Sequence, residues 1–465
     1  AESAGIWTDN HLPLALTDAG LAVPTGGGWR FSHHLLWEAV RQWARDEGRW
    51  NQWLEACAAA MRELAGDDRS GRVALREAEY LLETDDARRA LAPMNRAIMR
   101  FRHIGDPGWR ELVQRRSELI EALEVAPEER AYVQDLFERA MVAGRDYDTE
   151  RERTLLDRAE ELARRNGFEL ELARILQDKS VLLRRTGDNQ GSLESLDEAE
   201  ALLDGLDAPE ELLRALGNRA TNLLLLGRAA DARTILQRVV EHGEEAGLTN
   251  IVVRGRSMIG WTWMEQGELQ KALETGRDAL EAAREYGHRT VEGSVCGLLG
   301  DATKELGRFD EAREWNRAAI DCFQAMGRQS AVVISRLNIV MTDMLCGAFD
   351  GVDDRLATLR DAVVESGSTA RVRFFYACEM ALAAHQADAD RLRAAVDAVV
   401  SELTDSDTLM RDLPLMVELA AKEAVAQSMG ASALEVVELA SRLWEQHGDG
   451  ERATEVAKLA SRIEP

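Results

Sequence analysis

Proline is scarce in this chain, with 8 residues among 465, and aromatic side chains make up only 5%. Runs rich in Val, Ile, Thr and Tyr are almost absent, so little is available to build a β-sheet domain. The five cysteines, Cys57, Cys296, Cys322, Cys346 and Cys378, form no C-x-x-C pair. An odd number at scattered positions reads as reduced, buried thiols rather than a disulfide framework. Basic residues are outnumbered, 57 Lys and Arg against 83 Asp and Glu, for a net charge of −26. That excludes nucleic acid as the main partner, since backbone phosphates demand clustered cations. It also disfavours an anionic membrane surface. No apolar run approaches the roughly 20 residues of a membrane span. The chain opens "AESAGIW", with neither a signal peptide nor a methionine, which reads as a cytoplasmic fragment of a larger protein.

Catalytic signatures are missing too. There is no G-x-x-x-x-G-K-[ST] phosphate loop, no G-x-S-x-G elbow and no H-E-x-x-H pair. No cofactor is expected, and the chain by itself is not expected to be an enzyme. The stretch "WRFSHHLLWEAV" does place His33 and His34 ahead of Glu38. On a helix His34 and Glu38 share a face, but a metal site needs three or four converging ligands, and no further set completes this one. No metal is expected there, and the histidines are read as structural.

What the chain has in abundance is Ala, Leu, Glu and Arg, which favour helix. At 465 residues it exceeds the length at which one globular core stops growing. An extended repeat array resolves that problem, and the glycines mark one. Gly187, Gly227, Gly267, Gly307 and Gly347 each follow the last by 40 residues. A second ladder, Gly167, Gly247, Gly287, Gly327 and Gly367, keeps the same step, with Asp207 in its one gap. Glycine is favoured just past a helix end, where the backbone takes a positive φ. Each ladder glycine therefore closes a helix, and two helices per 40 residues give a stack of helical hairpins.

Small residues recur in step with the ladder. Ala232, Ala272 and Ala312 lie five residues after it, and Ala199, Ala279 and Ala319 lie twelve after it. They let helices approach closely where they cross. The set Gly260, Gly267, Ala272 and Ala279, repeated as Gly300, Gly307, Ala312 and Ala319, resembles the tetratricopeptide (TPR) pattern in its longer, roughly 40-residue variety. Ala220, Gly227, Ala232 and Val239 follow it one unit earlier. The resemblance covers about residues 127 to 400. Gly276 and Asn316 depart from it, since that place usually holds a large apolar residue. The resemblance implies an all-α, right-handed superhelix of hairpins.

The first residues do not keep the forty-residue step. "LPLALTDAGLAV" reads as a short helix ending at Gly20 and then a strand. "PTGGG" reads as a turn and "WRFS" as a second strand, followed by a helix capped by Ser32. The phrase "AGLAVPTGGGWRFSHHLLWEAV" resembles the end of the winged-helix connector in STAND-type, MalT-like signal-transduction ATPases, where a repeat array follows. That resemblance implies an ATPase and effector ahead of residue 1, and a bacterial source. The array itself ends in "KLASRIEP", with no LuxR-like DNA-binding segment. Trp37, Trp43, Trp50 and Trp53 recur at helical spacing on two adjacent helices. They either pack the connector or meet the absent ATPase.

The organisation expected is a winged-helix remnant and connector at 1–66, helical hairpins at 67–126, TPR-like repeats at 127–407 and capping helices at 408–465. In TPR proteins the first helix of each hairpin lines the concave face. There Arg174, Arg214 and Arg254 fall at one position of three successive repeats. Gln177, Arg184, Asn218, Trp261, Met264, Asn338, Met341 and Met344 share those helices. Such a rail suits an acidic or amidated peptide, because arginine contacts carboxylates bidentately and Trp and Met supply adaptable apolar area. The alternative is that the arginines pair with acidic neighbours in the next repeat. The expected function is recognition: a protein- or peptide-binding sensor region controlling a STAND-type ATPase. A scaffold or oligomerisation platform without a ligand switch is the rival.

Overall fold

The computed structural model describes residues 17–25, 28–64, 68, 70–146, 148–365, 369–401, 403 and 411–463. The chain divides into two compact units, Ala1–Asp135 and Leu136–Pro465. In the first, strands β1 (Ala22–Thr25) and β2 (Gly28–Phe31) form an antiparallel hairpin with Val23 opposite Arg30. The strands extend into the PTGGG segment read as turn. Helices α1 (His34–Asp46) and α2 (Trp50–Leu64) follow. The cap of α1 is His33, not Ser32, because the His33 Nδ1 accepts from the Leu35 amide at 3.3 Å. Ser32 instead donates its hydroxyl to the Gly20 carbonyl at 2.7 Å, tying the helix entry back to the start of β1. Of the short helix expected before Gly20, residues 12 to 16 lie outside the described residues.

The tryptophans interlock α1 and α2. Trp37 meets Trp50 edge-on at 6.0 Å between centroids, and Trp43 meets Trp53 at 5.7 Å. Both outer rings remain exposed, as does Leu35. The unit continues with α3 (Arg72–Leu82), α4 (Leu91–Ile104) and α5 (Trp109–Ala122), and the helix α6 (Arg130–Arg145) spans the division between the units.

The second unit is an all-α, TPR-like repeat superhelix. After α7 (Thr149–Asn166) the hairpins run α8 (Glu169–Arg185) with α9 (Asn189–Asp204), α10 (Pro209–Leu225) with α11 (Ala229–Glu245), and α12 (Thr249–Glu265) with α13 (Leu269–Tyr286). Then come α14 (Arg289–Glu305) with α15 (Phe309–Ala325), α16 (Gln329–Leu345) with α17 (Val352–Glu365), and α18 (Thr369–His385) with α19 (Ala389–Ser401). Helices α20 (Asp412–Ala426), α21 (Ala431–His447) and α22 (Gly450–Ala457) end the chain.

The glycine ladders do what their spacing requires. Every described ladder glycine has a positive φ, and Ala387, which takes the next place, is held at φ 56 without glycine's freedom. Asp207 marks a real change, because α9 ends two residues early at Gly205, whose φ is −88. The periodic alanines, Ala199, Ala232, Ala272, Ala279, Ala312 and Ala319, are fully buried. The two departures from the pattern have a packing reason. A Cβ on Gly276 would stand 2.9 Å from Leu299 Cδ2, so the missing side chain admits that leucine. Asn316 turns its amide onto the Ala312 carbonyl at 2.9 Å.

First helices of successive hairpins touch one another from α8 through α18, whereas among the described second helices only α19 and α21 do so appreciably. The first-helix side is thus the inner, concave side of the array. At its far end α20 returns to α14: Lys304 Nζ lies 2.9 Å from Asp412 Oδ1, and Arg411 Nε lies 2.8 Å from Glu305 Oε2.

Candidate groove on the concave face

Along α12, residues 254, 258, 261 and 265 follow the i, i+4, i+7, i+11 spacing that keeps one face of a helix. They read Arg254, Met258, Trp261 and Glu265: a cation, two apolar side chains and a carboxylate. Met258 and Trp261 are half-buried and pack together against the small core around Leu223, Leu224 and Leu236. Among the described residues, neither Arg254 nor Glu265 has a hydrogen-bond or ion-pair partner.

Arg254 reaches water, yet burial among surrounding protein atoms and the charge of Arg214 hold its guanidinium pKa below the ordinary value. Both conditions hold for a side chain standing inside a walled groove. His288, at the entry to α14, is buried, and that burial together with Arg254 pushes its imidazole down to about 4, so it is neutral at pH 7. At the other end of the stripe, Glu265 is pushed up to about 8 by burial and by the neighbouring Asp412 and Glu305.

The other arginines of the expected rail are already engaged. Arg174 Nε meets Glu211 Oε1 at 2.6 Å, across to the next repeat. Arg214 pairs with the same carboxylate at 2.5 Å and donates to Gln177 Oε1 at 2.9 Å. Gln177 is buried beneath them. Arg184 belongs to the inner series but sits at the far end of α8, where burial and Arg185 push it down to about 10. Asn218 is half-buried on α10. Met264 and Met341 are core residues, 4% and 0% exposed, and Met344 is buried as well. Asn338 is buried and donates to Asp301 Oδ1 at 3.1 Å. The structure therefore brings Arg254 and Trp261 together on one stripe, with Asn218 on the neighbouring helix, and holds the three methionines in the core.

Sequence reasoning missed the residues that complete the stripe. Met258 and Glu265 were signalled only by their spacing from Arg254. Gly217 and Gly297 lie forty residues to either side of Ser257, outside both glycine ladders. A Cβ built on either glycine would find nothing within 4 Å, so both leave open space on the helices beside α12. The histidine pair lies elsewhere: His34 Nδ1 stands 3.6 Å from Glu38 Oε1 with both side chains mostly exposed.

No protein-family model and no curated protein sequence matches the chain. Solved structures do. The chain superposes on a Rap protein complexed with competence and sporulation factor with a TM-score of 0.55, at 13% identity, over 80% of this chain and 99% of that one. It superposes on NprR in complex with its cognate peptide NprX with a TM-score of 0.52, at 11% identity, over 81% and 97%. A STAND protein with a TPR sensor from Pyrococcus horikoshii also matches, with a TM-score of 0.40 at 14% identity, covering 98% of this chain and 58% of that one. At such identities the likeness is one of fold.

Proposed function

We propose that this chain is a peptide- or protein-binding regulatory region and that its ligand lies in the concave groove across α10, α12 and α14. The observation that carries this reading is the Arg254–Met258–Trp261–Glu265 stripe: a cation and an ionisable carboxyl group, neither with a partner among the described residues, flanking half-buried apolar side chains, beside two helix positions left open by glycine. An unpaired charge in a partly dehydrated groove is costly unless a ligand completes it. The two superpositions with TM-scores above 0.5 support the reading, since both of those proteins were solved with a peptide or signalling factor bound. The finer part of the proposal is control of a STAND-type ATPase. It rests on the likeness of the sequence of residues 19 to 40 to the end of a winged-helix connector. Ligand binding then acts by changing contacts along the array, and the change passes to the connector.

Selection of random peptides on the purified chain tests the groove. Selected peptides are expected to lose at least tenfold in affinity, about 1.4 kcal/mol, with Arg254→Glu. They are expected to keep it with Arg256→Glu, whose side chain pairs with Glu244 instead. Equal binding by wild type and Arg254→Glu sinks the assignment.

A further inference from the structure

The two ionisable residues of the α12 stripe occupy backbone positions a fixed distance apart. Eleven residues advance a helix by about 16 Å and return it to within about 20° of the starting direction. Arg254 and Glu265 thus stand on one face, at opposite ends of the same stretch of groove. The surroundings reinforce the difference. Around Arg254 stand Arg214 and Arg328, opposed by Asp178. Around Glu265 stand Asp301, Glu305 and Asp412, opposed by Arg411. Lys304 bridges Asp301 and Asp412 at 3.1 and 2.9 Å. Counting Glu265, that end holds four carboxylates against two cations. Glu305 gives one oxygen to Arg411, while its Oε1 is buried with no hydrogen-bond partner, and its side chain is only 7% exposed. Acidic excess and a buried, unanswered acceptor both call for a donor.

We infer that the groove selects a peptide segment bearing an anionic and a cationic side chain about five residues apart in extended form, the anion on Arg254 and the cation against Glu265 and Glu305. Five extended residues span about 16 Å, which matches the axial advance between the two helix positions, and the long stem of a ligand Lys or Arg brings its charge round to the groove although side chains of an extended chain alternate sides. Between them, an apolar ligand side chain lies on Met258 and Trp261, in the space that Gly217 and Gly297 leave open. The inference rests on the groove being the peptide site, and it replaces a uniformly acidic partner. Of the three arginines that suggested one, Arg174 and Arg214 already share Glu211.

The test uses capped hexapeptides with Leu and Ala in the middle and one charge at each end: Lys first with Asp last, Asp first with Lys last, both Lys, both Asp, and a neutral Gln/Asn version. Calorimetry on the whole chain is expected to show one oppositely charged peptide binding at least tenfold tighter than the same-charge and neutral ones. The double variant Arg254→Glu/Glu265→Lys is expected to prefer the opposite end-to-end order. Gly297→Leu, at a position where an added Cβ has no neighbour within 4 Å, is expected to abolish binding while circular dichroism shows the native helix content. Equal affinity for all five peptides, or an unchanged order preference in the double variant, overturns the inference. So does a chain that binds library-selected peptides in the groove but none of the hexapeptides, a result that leaves the groove assignment standing.

Discussion

Ionising Glu265 costs the folded state part of its stability as pH rises from the ordinary 4.5 toward about 8, because the raised group is favoured in its protonated form only in the fold. Binding runs the other way. A cationic ligand group prefers the carboxylate, so affinity for the oppositely charged hexapeptide is expected to rise as pH increases through about 8, and Glu265→Gln is expected to flatten that rise. Calorimetric titrations between pH 6 and 9 measure it; an identical slope in the Gln variant would exclude Glu265 as the group responsible. The groups facing Glu265 are Asp301, Glu305, Asp412 and Arg411. None of this was legible in the chain order. Glu265 sits beside a ladder glycine and looks like one of many helix-end carboxylates, and what perturbs it comes from as far away as Asp412 in sequence. Arg254 was legible as a groove residue, but its difference from Arg174 and Arg214 was not, because a single shared partner, Glu211, decides it.

Within single helices, glycines fall into three kinds that a sequence pattern does not separate. Ladder glycines turn the chain at positive φ. Gly260 is a packing glycine: a Cβ there would stand 2.5 Å from Leu298 Cδ2. Gly297 is neither, since its Cβ would meet nothing. Gly260→Val is therefore expected to destabilise by about 1–3 kcal/mol through overpacking. Gly297→Leu is expected to be neutral or stabilising by up to about 1 kcal/mol through helix propensity. Urea unfolding midpoints check both, and comparable losses in the two variants would refute the distinction. The forty-residue recurrence made the hairpins, their ends and their close crossings readable. It could not show which small residues face a neighbour and which face an opening, because that depends on the next repeat. The misplaced cap of α1 has a similar origin: Ser32 is the better capping residue, but its hydroxyl is drawn to the Gly20 carbonyl across the hairpin.

At the scale of the whole repeat array, the side-chain pairs between α14 and α20 span more of the sequence than the others among the described residues. Lys304 is fully buried, and one of its two carboxylate partners, Asp412, comes from a helix beginning 108 residues later. Asp412→Ala leaves that ammonium with Asp301 alone and is expected to cost about 2 kcal/mol, less than a fully buried pair because Asp412 is partly exposed. Hydrogen exchange is expected to quicken in α14 and α20 together; quickening confined to α20 would contradict the coupling. A solenoid whose units touch only their neighbours unravels piecemeal, and news of a ligand fades from one repeat to the next. The return of α20 onto α14 changes the wiring. Glu265, at the end of the proposed ligand stripe, lies within electrostatic reach of Asp412, so a ligand bound on α12 would have a short circuit to the C-terminal helices that bypasses α16 and α18.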